Sequence, residues 1–112
     1  MLESGTVDMA FAKYRLEATP LFEAELEQAI NYVERQLENP VAADKLQNDV
    51  EKAVFKALAN PTAFEPVPSR VDREHPYYRI YVGNYIVFYC VIRDVMELRR
   101  FVYARRDWRN LV

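Results

Sequence analysis

The stretch from Tyr77 to Arg106 constrains this chain more than any other part of it. It runs Tyr-Tyr-Arg-Ile-Tyr-Val, then Gly83-Asn84, then Tyr85 to Ile92, then Arg93-Asp94, then Val95 to Arg106. β-Branched and aromatic residues at this density favour strands, and breaks of two residues leave room only for tight turns. The stretch therefore predicts a three-stranded antiparallel meander. In its first strand Tyr78, Ile80 and Val82 share the face expected in the core, opposite Tyr77, Arg79 and Tyr81. The second strand is apolar on both faces, which places it centrally with cover on both sides. In the third, Met96, Leu98, Arg100 and Val102 alternate with Glu97, Arg99, Phe101 and Tyr103. Neither phase is polar throughout, a conflict that a β-bulge would resolve.

Such a sheet must bury its apolar face against something earlier in the chain. Tyr14, Leu16 and Ala18 alternate with Arg15 and Glu17, as in a short edge strand. Thr19-Pro20 then opens a helix, the hydroxyl as cap and the proline in the first turn. Phe22, Leu26, Ala29, Ile30, Val33 and Leu37 recur at helical spacing, predicting a helix over Pro20 to Glu38. Its glutamates, Glu23, Glu25 and Glu27, read as a solvated face near the helix start. Asn39-Pro40 stops it, and a second amphipathic helix is expected from Val41 to Ala59, giving an antiparallel hairpin. Thr62 to Pro76, rich in proline, reads as a loop or extended crossing. The predicted fold class is α+β, a small antiparallel sheet packed against an N-terminal helical hairpin. At 112 residues the chain is a single domain, here residues 10–112, behind a loose lead-in at 1–9.

The formal net charge of -2 conceals an uneven distribution. Residues 1–69 hold six Lys/Arg against twelve Asp/Glu, whereas residues 70–112 hold nine Arg against five Asp/Glu and no lysine. Arginine suits planar, bidentate recognition of phosphate or carboxylate, so the second half points to a nucleic acid or an acidic protein as partner. A merely solvated surface accounts for such clustering equally well. Metal and nucleophile chemistry finds little support. His75 is the single histidine, Cys90 sits in the most apolar strand, and Gly5 and Gly83 cannot make a phosphate-cradling loop. No cofactor and no metal are expected. The lone cysteine excludes an internal disulfide and fits a reducing cytoplasm, and no apolar run is long enough to cross a bilayer. Arginine stays protonated and tyrosine ordinarily titrates near 10, so neither is a ready base for RNA cleavage. Trp108, amid Arg105, Arg106 and Arg109, either anchors the tail on the sheet or stacks on a partner.

The chain resembles the RelE/ParE superfamily of toxins from type II toxin–antitoxin systems. The resemblance is carried by Asn39-Pro40-x-Ala42-Ala43, Tyr78-Arg79-Ile80, Gly83-Asn84-Tyr85-x-Val87-x-Tyr89-x-Val91 and Tyr103-Ala104-Arg105-Arg106-Asp107-Trp108. It implies a growth-inhibiting toxin neutralised by a cognate antitoxin, with either DNA gyrase or the translating ribosome and its mRNA as target. A non-catalytic RNA- or protein-binding domain is the remaining alternative. For a ribosome-dependent mRNA endoribonuclease, the resemblance makes Arg79 and Arg106 catalytic. Target or nucleic-acid contacts fall on Arg79, Tyr81, Arg105 and Arg106. Acidic antitoxin side chains are expected to meet Arg99, Arg100 and Arg109, with Trp108 beside them. Two positions depart from the nuclease pattern: Ile86 stands where an arginine is often catalytic, and Leu111-Val112 end the chain where some members carry an aromatic residue. Both departures favour gyrase.

Overall fold

A computed structural model describes residues 13–68 and 73–112. The lead-in expected at 1–9 lies outside the described residues, as does Arg70 in the crossing segment. Strand β1 (Arg15–Ala18) leads into helix α1 (Pro20–Asn31), which loosens into a π-helical turn at Tyr32–Gln36 before helix α2 (Pro40–Leu58). A single 3-10 turn (Pro61–Ala63) precedes β2 (Glu65–Pro66), and then come β3 (Tyr77–Val82), β4 (Tyr85–Ile92) and β5 (Val95–Tyr103). The five strands lie in the order β1-β5-β4-β3-β2. The meander is antiparallel throughout, with Gly83 at a positive φ of 56° in its first turn and Arg93 at 58° in its second.

The two ends of the sheet were less legible. β1 pairs with β5 in parallel, Leu16 opposite Met96, so the sheet is mixed rather than antiparallel throughout. β2 is a genuine two-residue strand inside the segment expected to be a loop. Pro66 is tolerated there because an edge strand can do without one N–H, and Glu65 and Pro66 pair with Arg79 and Tyr78.

Both faces of β4 are covered. On the helix side Val87 and Tyr89 join Leu16, Phe22, Leu26, Val50, Val54, Met96, Leu98 and Phe101 in the main core. On the other side Ile86 and Phe88 join Val102 and Trp108, with Leu111 and Val112 packed against them. Here the C-terminal tail supplies the second layer. The conflict of phases in β5 is resolved by an irregularity. Phe88 pairs with Arg100 but Tyr89 pairs with Leu98, so Arg99 is the extra residue and the alternation flips beyond it. Met96, Leu98 and then Phe101 can therefore all face the main core.

The start of α1 completes the β5 edge where β1 stops. Thr19 N–H donates to Leu98 O at 3.0 Å, and the Thr19 hydroxyl donates to Arg99 O at 3.2 Å while accepting from Phe22 N–H at 3.1 Å. One side chain thus caps the helix and satisfies a strand carbonyl. At the far end of α1, Leu37 was expected in the apolar stripe and is exposed instead. The π-helical turn takes more residues per turn, so the smaller rotation per residue carries it off the buried face.

Candidate functional site

The arginines predicted to act together occupy different surroundings. Arg79 projects from the sheet face that carries Phe88 and Trp108, its register partner being Phe88. Its guanidinium pairs with Glu65 and lies over the rings of Tyr81, at 5.9 Å, and Trp108, at 5.4 Å. Tyr81 is 56% exposed beside it. Arg106 instead lines a cleft of about 370 Å³ between α1 and the end of the sheet, together with Glu25, Gln28, Ala29, Tyr32, Tyr85, Phe101, Val102 and Tyr103. None of the residues contacting Arg79 lines that cleft. Strand alternation puts Arg79 on the face of Phe88, and Arg106 lies in the turn after β5, its carbonyl accepting from Trp108 N–H at 2.7 Å.

Two residues expected to meet an antitoxin serve the fold. Trp108 is 5% exposed, packed on Phe88 with ring centroids 5.3 Å apart and with Arg79 and Arg109 over its ring. It anchors the tail and has little surface left to offer a partner. Arg100 grips Glu25 through both carboxylate oxygens, Nε and Nη2 each at 2.9 Å, while Nη1 donates to Leu111 O at 3.0 Å. Glu25 also accepts from Phe101 N–H at 3.0 Å, on the β5 edge left open beyond β1. The pair is largely buried, the side chains 18% and 13% exposed. The hydrogen bonds it donates to Glu25 hold the Arg100 guanidinium protonated above its usual range. Glu25 had been read as part of a solvated face; its role depends on a strand 75 residues further along the chain and leaves no local signal.

Arg99 pairs with Glu97 and lies over the ring of Tyr77 at 5.9 Å, partly accessible. Arg105 and Arg106 are exposed and, among the described residues, form no ion pair. Arg109 is exposed over Trp108, at 4.3 Å from the ring centroid.

The cleft around Arg106 is aromatic. Tyr85 stacks on Phe101 with centroids 4.8 Å apart and rings 9° from parallel, and meets Tyr103 edge-on at 5.5 Å. Burial pushes the Tyr85 phenol above its ordinary value of 10.0, and nearby Tyr103 and Tyr32 push it the same way. A phenol held protonated in this way can donate a hydrogen bond but is a poor base at neutral pH. Ile86, where an arginine would stand in a nuclease, is fully buried in the second core. Sequence reasoning missed the cleft residues Tyr32 and Gln28. The available signal was an aromatic side chain at Tyr32, off the apolar stripe of the first helix.

Among the described residues, no group of His, Cys, Asp and Glu could hold a metal ion, and no helix is long and apolar enough to cross a membrane. A family model described as the ParE toxin of the type II toxin–antitoxin system parDE matches residues 16–108. Among solved structures, the chain is similar to one from the chromosomal ParDE system of P. aeruginosa. That likeness has 16% identity and a TM-score of 0.69, and covers 83% of this chain and 98% of that one. It is also similar to a chain of the archaeal RelE–RelB complex from Pyrococcus horikoshii OT3, at 15% identity and a TM-score of 0.54, over 84% of this chain and 98% of that one. No curated protein matches.

Proposed function

The chain belongs to the ParE toxin family of type II toxin–antitoxin systems, and from that premise we propose that it arrests growth in the cytoplasm by poisoning DNA gyrase, and that a cognate antitoxin holds it inactive. The observation that carries the choice of target is the full burial of Ile86, which leaves no guanidinium at that position. RNA cleavage without a metal needs one group to take the 2′-hydroxyl proton and another to stabilise charge on phosphorus at the same place. Arg79 is paired with Glu65 and does not line the cleft that Arg106 lines. Tyr85, the phenol in the cleft with Arg106, holds its proton more tightly than an ordinary tyrosine. The position that would supply a further arginine is the buried Ile86. A toxin that acts by binding a protein target needs no such convergence.

Induction in bacteria should stop growth, produce gyrase-dependent DNA breaks and switch on the DNA-damage response while translated messages keep intact ends. Co-expression of the adjoining small open reading frame should restore growth. Cleaved mRNA without DNA damage would overturn the assignment to gyrase. Continued growth at verified soluble expression would overturn the toxin reading itself.

A further inference from the structure

We propose that the sheet face turned away from the helices holds the phosphate backbone of duplex DNA through Arg73, Arg79, Arg99 and Arg109, and that Glu65 partly masks it. This deepens the gyrase reading and rests on it, the duplex being the one that the target enzyme holds.

Two aromatic rings organise this face. The guanidinium carbons of Arg73 and Arg99 lie 4.3 and 5.9 Å from the centroid of Tyr77. Those of Arg79 and Arg109 lie 5.4 and 4.3 Å from the ring of Trp108. Each ring thus carries two cations, drawn to it by cation–π attraction. Like charges gathered in this way gain from a shared anion. Tyr77, under one pair, and Arg79, in the other, point to the same side of β3, an advance of about 7 Å along the strand. That is about two phosphate steps on one DNA strand, at roughly 3.4 Å of helix axis each.

The covering of the rings selects the occupant. Tyr77 and Trp108 present guanidinium groups outward rather than bare aromatic faces. Single strands bind by laying unstacked bases on open rings, and Tyr81, 56% exposed, is too little for a run of bases. An acidic protein would need apolar anchors for the core of its interface, where charge is depleted. Duplex phosphates ask only for charge and hydrogen-bond donors, which arginine supplies in pairs. Glu65 stands in the way of one of them. It pairs with Arg79, whose side chain is 13% exposed, while its own is 64% exposed. It sits on a strand of two residues, from which little movement is needed to let go. Nε of Arg79 is buried and finds no acceptor among the described residues, so Glu65 leaves this guanidinium incompletely used. A phosphate arriving in place of Glu65 would exchange one charge-assisted bond for another.

The test is the fluorescence anisotropy of a short labelled duplex of mixed sequence, titrated with the folded full-length chain at several salt concentrations. Affinity should fall with salt at a log–log slope of about 3 to 4, roughly 0.9 for each phosphate that an arginine neutralises. Arg109→Glu, at an exposed position, should weaken binding about tenfold and lower that slope by about 1. Glu65→Gln should tighten binding about threefold by freeing Arg79. Lys52→Glu makes the same charge change as Arg109→Glu on the helix layer, and should alter binding less than about twofold. Thermal melting confirms that the variants fold. The proposal is overturned if the duplex does not bind, or if Arg109→Glu and Lys52→Glu weaken binding equally. Oligouridylate or polyglutamate bound as tightly, with the same dependence on Arg109, would overturn it too. Failure of Glu65→Gln to tighten binding overturns the mask. The DNA-break assay decides the gyrase reading separately. A chain that holds duplex in this way yet causes no gyrase-dependent breaks would sink that reading and leave the surface standing. Breaks without duplex binding would overturn the surface alone.

Discussion

Glu25 shows how much one side chain can hold in a chain of this size. Its two oxygens take three donors, from Arg100 and from Phe101 N–H, and tie α1 to the β5 edge. Removing one partner of a mostly buried pair strands the other charge, a loss of about 3 kcal/mol or more. Glu25→Ala should therefore lower the free energy of unfolding in urea by that order, whereas Glu27→Ala, on the exposed side of the same helix, should stay within about 0.5 kcal/mol. Equal losses at the two positions would mean that the pair adds nothing. Cys90 gives a second check. It is 1% exposed, and burial pushes its thiol above the ordinary 9.0, the neighbouring Arg99 guanidinium only partly opposing this. The folded chain thus binds this proton more tightly than the unfolded one. That contribution is complete below pH 9 and is lost as the pH rises from there through the higher folded value. Native Cys90 should resist alkylation at pH 8 and react fully in denaturant; rapid labelling of the folded chain would contradict the burial.

At the scale of elements, what was legible followed from local pattern. Both helices, the three meander strands and their turns rest on apolar periodicity and on Asn-Pro or Gly-Asn punctuation, all contained in short windows. What was hidden depends on distant pairing. The direction of β1 is set by β5, some eighty residues later, and nothing in Arg15–Ala18 encodes it. β2 is two residues long, one of them a proline, too few to show alternation. The bulge at Arg99 was visible as a conflict of phases, but its place was not. The tail was readable only as a choice between anchor and ligand surface, and packing on Phe88 makes it an anchor. Trp108→Ala should then cost about 3–5 kcal/mol, the usual range for truncating a buried ring. It should also uncover Ile86, Phe88 and Val102, raising the binding of a hydrophobic dye to the folded chain. Trp108→Phe should keep much of the stability. A fully stable Trp108→Ala variant would show that the second face of the sheet needs no cover.

For the molecule as a whole, arginines of the basic second half gather in pairs on shared rings, Arg73 and Arg99 over Tyr77 and Arg79 and Arg109 over Trp108. Arg100 and Arg99 are occupied by Glu25 and Glu97, Arg79 by Glu65, and Arg109 by the Trp108 ring. The sequence could count guanidinium groups but could not say which would meet, because alternation, a bulge and a turn decide their directions. The consequence for function is a question of coupling. Groups that act on one reacting centre lose their effect together, so removing the second costs little once the first is gone. Groups at separate places contribute independently, and their effects add to within about twofold. Arg79→Ala, Arg106→Ala and the double variant can be compared by the expression level needed to halve the growth rate, at matched solubility. With Arg79 against Glu65, Tyr81 and Trp108, and Arg106 in the tyrosine cleft, the logarithmic shifts should sum. A double variant no weaker than the more damaged single one would place both arginines at a common centre and return the nuclease reading to the front.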